Sequence, residues 1–304
     1  MAKKLVVLSF ILVVFGVLPL ATNAAILYLE PSAGEYHQGD TFIIEVKIDT
    51  QGEYINTIQA DLTFSSEILK VQDISEGNSI INLWIKKPEI AEDSPPLDLI
   101  SFSGGIPGGY QGKDGLLLKI VFQTKEIGGG WSSAEVDFLD SCQVLLNDGL
   151  GTPTKLTSKE AVFSILPEKL EISKNEWQEE ISKDKTSPQP FKIEISRDLS
   201  IFDGKYFIVF STTDKETGVD HYEVKEGKRD WKMAVSPYVL ENQKLTSDIK
   251  VKAIDKAGNF WLETLEAPNK PEKGEGFYVI LVLVLIFVII ILIRIFKRIL
   301  AKTQ

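Results

Sequence analysis

Residues 55–74 read INTIQADLTFSSEILKVQDI, and this stretch decides the fold class. Apolar residues occupy every second position of its first half, which is the pattern of a strand with one buried face and one wet face. The predicted buried set is Ile58, Ala60, Leu62 and Phe64. Ser65-Ser66-Glu67 then turns the chain, and Ile68, Leu69 and Val71 return it to the core. The stretch therefore predicts two strands joined by a tight turn.

The same period-2 pattern extends in both directions, from residue 25 to residue 166. Glycine-rich turns separate the predicted strands at the spacing of a β-sandwich or jelly roll. Besides the two strands above, the predicted strands are Ile26–Leu29, Phe42–Ile48, Ile80–Ile85, Leu99–Ser103, Leu116–Gln123, Ala134–Phe138 and Ala161–Ile165. Residues 25–166 are thus predicted to form an all-β domain.

An ordered set of short motifs in this domain resembles the cohesin domain of bacterial cellulosome scaffolds and related surface proteins. The motifs are Gly39-Asp40-Thr41, the strand and turn from Ile58 to Val71, Ile100–Ser103 before a glycine-rich loop, Lys113-Asp114-Gly115 before a strand, and Val136-Asp137-Phe138. The resemblance implies a nine-stranded jelly-roll sandwich, a fold shared with carbohydrate-binding modules. It also implies that one flat face binds the dockerin module of a partner protein, which itself carries calcium.

The resemblance places the partner-contacting residues on the wet face of the strand at residues 55–65 and on a neighbouring strand. These candidates are Thr57, Gln59, Asp61, Thr63, Ser101 and Ser103. Ser101 and Ser103 offer no apolar anchor, although protein interfaces concentrate their binding energy in such anchors. The alternative is that all six residues are ordinary solvated side chains of an outer sheet face.

A second domain is predicted at 191–266, after a polar, proline-punctuated linker at 167–190. Its motifs run from Thr217-Gly218-Val219-Asp220 to Ala257-Gly258-Asn259 and resemble bacterial immunoglobulin-like and fibronectin-III-like modules. Such modules usually act as spacers. Trp177, Trp231 and Trp261 could stack on sugars, but scattered tryptophans more often pack in cores or interfaces. Residues 267–276 are predicted to be a short tether.

Both ends of the chain carry apolar runs. Residues 1–24 have the pattern of a secretory signal peptide, and an uncleaved membrane span is the alternative. The run that begins at Phe277 predicts a transmembrane helix at 277–296, followed by a basic tail at 297–304. By the positive-inside rule that tail would be cytoplasmic, so we expect a single-pass cell-membrane protein with an extracellular N-terminal part. The predicted fold class is all-β, a jelly-roll sandwich plus an Ig-like sandwich, with one C-terminal transmembrane helix.

The charge balance argues against a nucleic-acid partner. The chain has a formal net charge of −10, and the part between the two predicted terminal segments has 27 Lys and Arg residues against 43 Asp and Glu, or −16. Such a surface repels phosphates. Cys142 is the only cysteine, so the chain has no internal disulfide, and we interpret this residue as a small buried hydrophobe.

Catalytic and metal-binding motifs are not recognisable in the sequence. The two histidines, His37 and His221, fall in different predicted domains, and no zinc spacing, phosphate loop or calcium loop is present. We therefore predict no enzymatic activity, no cofactor and no metal site. A carboxylate pair of the glycosidase type has no characteristic sequence spacing, because the fold sets the distance between the two groups.

Three classes of function follow from these observations. The first is a noncatalytic scaffold protein that captures a dockerin-bearing or other surface protein. The second is a carbohydrate-binding or adhesion module linked to polysaccharide catabolism, for which a planar strip of aromatics is expected. The candidate aromatics are Trp84, Trp131, Tyr54 and Tyr110, which lie in different segments. The third is a secreted hydrolase.

Overall fold

The computed structural model describes residues 24–91, 97–126, 128, 130–167, 173–270 and 275–300. By its internal contacts the chain divides into two compact units. The first unit comprises the chain up to Gln189 together with Thr212–Asp220 and Ile254–Trp261; the remainder forms the second unit. Residues 1–23 of the predicted signal peptide, 168–172 of the linker, 271–274 of the tether and 301–304 of the tail lie outside the described residues.

The first unit contains a β-sandwich, as the alternating pattern predicts. Its five-stranded sheet has the order β11-β1-β3-β8-β5. These strands are β1 (Ala25–Glu30), β3 (Thr41–Asp49), β5 (Leu69–Ser75), β8 (Gly115–Thr124) and β11 (Leu156–Ser158). Strand β3 buries every second side chain from Phe42 to Ile48, and β8 is buried on both faces because it is apolar along nearly its whole length.

The second sheet of this unit has seven strands in the order β2-β12-β9-β4-β7-β6, with β10 also paired to β4. The strands are β2 (Ala33–His37), β4 (Ile55–Ser65), β6 (Leu83–Ala91), β7 (Leu97–Tyr110), β9 (Ser132–Phe138), β10 (Gln143–Leu146) and β12 (Ala161–Leu166). The inward side chains of both sheets form one hydrophobic core that includes Phe42, Phe64, Phe102, Phe122 and Phe163. The two sheets thus hold more strands than the nine that the resemblance implies.

A short helix, α1 (Glu176–Lys183), lies within the segment predicted as a linker. Asn175 caps it, because its side-chain oxygen accepts a hydrogen bond from the Gln178 N–H at 2.9 Å. Glu176 Oε2 accepts a hydrogen bond from the N–H of Ile43 in β3, and Trp177 is buried. The helix is therefore part of the first unit, packed on the five-stranded sheet.

The second unit is also built mainly of β-strands. A three-stranded sheet has the order β13-β14-β17, and a four-stranded sheet has the order β16-β15-β18-β19. The strands are β13 (Glu194–Arg197), β14 (Tyr206–Val209), β15 (Val219–Glu226), β16 (Lys232–Ala234), β17 (Tyr238–Val239), β18 (Ile249–Asp255) and β19 (Phe260–Leu265). A short 3₁₀ helix spans Phe202–Gly204, and Phe207, Ile208, Val224, Leu240 and Val251 are buried.

A second α-helix, α2 (Glu275–Leu300), ends the described chain, and its side chains from Ile280 to Ile293 are exposed. The structure corrects the transmembrane helix predicted at 277–296: among the residues described, no helix has both the length and the apolar character needed to cross a membrane.

Candidate partner-binding face

Strand β4 lies inside the seven-stranded sheet, between β7 on one side and β9 and β10 on the other. Its side chains alternate as the sequence predicts. Ile58, Ala60, Leu62 and Phe64 are buried, whereas Thr57, Gln59, Asp61 and Thr63 point to the outer face of the sheet. The structure thus places these four candidate residues in one row on the outside of the sandwich.

Asp61 is the most strongly restrained residue of this row. Its Oδ2 accepts a hydrogen bond of 2.7 Å from Ser141 Oγ. Partial burial alone would raise the pKa of Asp61, but the Ser141 hydroxyl, the nearby polar side chains of Ser101 and Gln59 and the charge of Lys86 outweigh burial and lower the pKa below its usual value. Asp61 is therefore an ionised acceptor at neutral pH.

Cys142 fixes the backbone next to this carboxylate. Its Sγ accepts a hydrogen bond from the Asp61 N–H at 3.4 Å and donates one to the Asp61 carbonyl at 3.5 Å. Burial raises the pKa of the Cys142 thiol, so the thiolate is disfavoured. The half-buried position agrees with the interpretation of this residue as a packing residue.

The two candidate serines of β7 have different environments. Ser101 lies opposite Asp61 and Ser103 lies opposite Gln59 in the β4–β7 ladder. Ser101 is only 8% exposed, whereas Ser103 remains partly accessible. Ser101 therefore has little surface of its own to offer a partner.

The structure adds an apolar residue that the sequence analysis did not include. Leu83 of β6 lies opposite Gly105, and its side chain passes over that glycine, which leaves Leu83 57% exposed on the outer face. Lys86, two register positions along, lies opposite Ser103. We call Thr57, Gln59, Asp61, Thr63, Ser103, Leu83 and Lys86 together the β4 face. The apolar run at 80–85 indicates that Leu83 lies in a strand, and the predicted strand ends at Ile85. The run does not predict which strand pairs with it, so it does not place Leu83 near the candidate residues.

Acidic side chains border the β4 face on the side of β9. Asp137 lies directly opposite Thr63, and carboxylate oxygens of Glu135, Asp137 and Glu160 lie within 4.8 Å of one another. Desolvation, followed by the charge of Glu160, raises the pKa of Glu135. The border is exposed, so it gives this side of the sheet a negative potential that a basic partner surface would complement.

The four aromatic candidates do not form a strip. Trp84 turns inward and packs edge-on against Phe102, whereas Trp131 is largely exposed beyond the end of β8. The Tyr54 hydroxyl donates a hydrogen bond to the Gly108 carbonyl. Among the described residues, no ring pair joins two of these four aromatics, so the planar platform expected of a sugar-binding face is not formed by them.

A cavity of about 390 Å³ lies elsewhere in the first unit. It is lined by Gln38, Gly39, Thr41, Gln123, Glu126, Ser173, Lys174 and Asn175. None of the six candidate residues lines it.

A second group of carboxylates, Asp184, Asp214 and Asp255, is buried within the same unit and could hold a metal ion.

Comparison with known proteins finds similarity to solved cohesin modules over about half of the chain. A type I cohesin–dockerin complex from Clostridium thermocellum matches with 17% identity over 48% of this chain and 95% of that chain, with a TM-score of 0.38. A non-cellulosomal cohesin from the archaeon Archaeoglobus fulgidus matches with 18% identity over 47% and 92%, with a TM-score of 0.37.

A third similar structure is the sixth cohesin of scaffoldin B from Acetivibrio cellulolyticus, in complex with a mutant Cel5 dockerin. It has 18% identity over 48% of this chain and all of that chain, with a TM-score of 0.36. No family model and no curated protein matches the chain.

Proposed function

We propose that this chain is a noncatalytic binding protein and that its β4 face captures a protein partner of the dockerin class. The observation that carries the proposal is that one accessible sheet face presents both an exposed apolar residue, Leu83, and a hydrogen-bonded carboxylate, Asp61. The class of partner comes from the resemblance of the sequence motifs to cohesin domains.

The chemistry of the β4 face fits a protein surface better than a sugar. Protein interfaces place an apolar anchor among polar groups that are held in position before binding. Asp61 accepts a hydrogen bond from Ser141, Gln59 is exposed beside it, and Leu83 supplies the anchor that the two serines lack. A partner helix that brings one apolar residue and basic or amide groups would satisfy all three.

The test is a binding measurement with calcium-loaded dockerin modules as probes and the purified chain as the receptor. Gln59→Ala combined with Leu83→Ala removes two exposed side chains that the core does not need. If a contact of ordinary size, about 800 Å² per side, is centred here, the double variant should bind at least about tenfold more weakly, or roughly 1.4 kcal/mol.

A matched control is available on the opposite sheet. Gln72 and Gln123 form a hydrogen-bonded polar pair at 2.5 Å on β5 and β8, so Gln72→Ala with Gln123→Ala makes a comparable change away from the β4 face. Equal weakening by both double variants would contradict the proposed location. Binding to insoluble polysaccharide that is unchanged by Gln59→Ala with Leu83→Ala would instead select the carbohydrate-binding alternative.

A further inference from the structure

Three aspartates from distant parts of the sequence meet inside the first unit. Asp184 forms the C-cap of α1, Asp214 lies in the segment 212–220, and Asp255 is the last residue of β18. They are only 1%, 2% and 2% exposed, and one carboxylate oxygen of each lies within 4.8 Å of the others. Buried carboxylates at this separation repel one another strongly unless a cation or protons compensate their charge.

Hydrogen bonds satisfy most of the carboxylate oxygens in this group. Asp184 accepts from Thr186 and from both the N–H and the hydroxyl of Thr217. Asp255 accepts from the backbone and the side chain of Asn259. These donors are neutral, and no ion pair among the described residues includes any of the three aspartates. No positively charged side chain of the described residues therefore compensates the three carboxylates.

One oxygen of the group lacks a hydrogen-bond donor within the part of the chain that the structure describes. Asp214 Oδ2 accepts hydrogen bonds of 2.9 Å from the N–H groups of Glu216 and Gly218. Asp214 Oδ1 is buried and has no hydrogen-bond partner in the described chain. Buried polar atoms are almost always satisfied, so an orphaned carboxylate oxygen beside two further carboxylates indicates a missing positively charged ligand.

We propose that Asp184, Asp214 and Asp255 bind a calcium ion. The donor set is made of oxygen atoms only, which suits a hard cation and excludes the nitrogen and sulfur chemistry that zinc or copper prefers. Calcium accepts irregular geometry and several protein carboxylates, whereas magnesium demands a near-ideal octahedron and keeps much of its water.

A bound ion would link three chain segments that are far apart in sequence. It would hold the end of α1, the segment 212–220 and the end of β18 together, so the site is structural and lies apart from the β4 face. Binding free energy at such a site is released only on folding, so calcium should raise the stability of this unit. The inference does not rest on the proposed partner-binding function.

The experiment uses the full chain, purified in mild detergent because the side chains at 280–293 are apolar and exposed. The chain is first stripped with EDTA and then titrated with calcium chloride in a calorimeter, and thermal unfolding is followed in parallel. We expect one calcium per chain and a rise in Tm of roughly 5 °C at a hundredfold excess over Kd. Magnesium chloride should be a much weaker ligand.

Asp214→Asn removes one charge without changing the size of the side chain, and it should weaken calcium binding at least tenfold. In EDTA the same variant should be as stable as the parent chain or more stable, because repulsion is relieved. Asp137→Asn, in the exposed carboxylate group of β9, is the matched control and should leave calcium binding unchanged. This opposite response in calcium and in EDTA distinguishes an ion site from a merely structural aspartate.

Several outcomes would overturn the proposal. The first is that calcium produces no heat of binding with the stripped parent chain and leaves its Tm unchanged. The second is that Asp137→Asn loses as much calcium binding as Asp214→Asn. The third is that the chain responds to magnesium but not to calcium. The titration of the parent chain decides the question even if Asp214→Asn fails to fold. Capture of a dockerin is measured separately with Gln59→Ala and Leu83→Ala, so failure of one proposal leaves the other intact.

Discussion

Leu62 and Thr63 are neighbours in β4 with opposite environments, since Leu62 is completely buried and Thr63 lies on the outer face. Leu62→Asp would bury an unpaired carboxylate in the core, and we expect the free energy of unfolding to fall by several kcal/mol. Urea denaturation followed by tryptophan fluorescence measures this loss.

The control for this substitution is Thr63→Asn, which is polar but neutral. A neutral residue is needed because Asp137 lies directly opposite Thr63, where a second carboxylate would be repelled. Thr63→Asn should change the free energy of unfolding by less than about 0.5 kcal/mol. Similar losses for both variants would mean that the register of β4 is wrong.

The lowered pKa of Asp61 makes stability depend on pH in a definite direction. Because hydrogen bonds and Lys86 outweigh desolvation and depress the folded-state pKa, the ionised carboxylate stabilises the folded state above the unfolded pKa of about 3.9. This contribution is lost as the pH falls through the lowered folded-state pKa. Asp61→Asn should therefore reduce the fall in unfolding free energy between about pH 5 and pH 2.

Ser141→Ala provides an intermediate test, since it removes one donor to Asp61 and leaves the charge in place. Its pH dependence should lie between those of the parent chain and Asp61→Asn. If all three proteins lose stability with the same slope in acid, the hydrogen bonds to Asp61 do not stabilise the folded state in the way described.

The sequence predicts the burial of single residues well where apolar and polar side chains alternate regularly. The alternation of Ile58, Ala60, Leu62 and Phe64 is confirmed by their burial, because a strand has only two faces. It does not predict that Ser101 becomes buried opposite Asp61, since this depends on the pairing of two strands. Whether the candidate residues contact a partner stays a prediction.

Helix α1 shows how a single cap can matter for a short element. A helix of 8 residues is marginal by itself, and Asn175 satisfies one of its N-terminal N–H groups. Asn175→Ala should lower the free energy of unfolding by about 1 kcal/mol in urea denaturation.

Asn175→Ser should restore most of that stability, because a serine hydroxyl can also accept the hydrogen bond from Gln178. A full loss in Asn175→Ser would contradict the capping role of the Asn175 side chain, because the backbone bridge between Asn175 and Thr41 is available to both variants.

The sequence does not predict the helices and strands whose apolar residues follow no regular spacing. Residues 167–190 are polar and rich in proline, so their composition predicts a linker and not the helix α1. Only Trp177, which is buried, indicates that this segment packs against the rest of the unit. Strand β6 begins at Leu83 and continues to Ala91, beyond the predicted end at Ile85. The sequence pattern misses its second half because two register shifts interrupt the alternation of its side chains.

At the scale of the whole molecule, the first unit includes segments that the sequence assigns to the second domain. Ser75 Oγ donates a hydrogen bond of 2.7 Å to the Thr217 carbonyl, and Lys256 forms an ion pair with Asp73. A side chain added at Gly77 would come within 2.1 Å of the Glu216 carbonyl oxygen. The segments 212–220 and 254–261 are thus held closely against the loop after β5.

This arrangement makes a prediction about truncation. Gly77→Ala should destabilise the full chain by about 1 to 3 kcal/mol, because the new methyl group displaces the segment at Glu216. The same substitution should have little effect in a fragment that ends at Gln189, which lacks Glu216. Chemical denaturation of the four proteins measures both effects.

Gly130→Ala is the control, because a methyl group there meets nothing within 4 Å. It should be neutral in the full chain and in the fragment alike. An equal cost of Gly77→Ala in both lengths of chain would show that the effect is local to its own turn.

Long-range relations of this kind have no signature in one sequence. The two motif resemblances predict β-sandwiches from local patterns, and the strands confirm this for residues 25–166. The meeting of Asp184, Asp214 and Asp255 depends on three segments that are separated by about 30 to 40 residues each, so no spacing rule for a calcium loop could reveal it.

The position of β6 at the end of its sheet has a consequence for how the protein behaves in a crowded solution. An unpaired strand edge is a template on which a second copy of the chain could polymerise. Here the register shifts beside Lys86 distort that edge, Pro88 has no N–H to offer, and Lys86 and Lys87 carry like charges. The protein can therefore expose Leu83 within its proposed binding face, and Ile85 on the same strand, while its edge resists growth into fibrils.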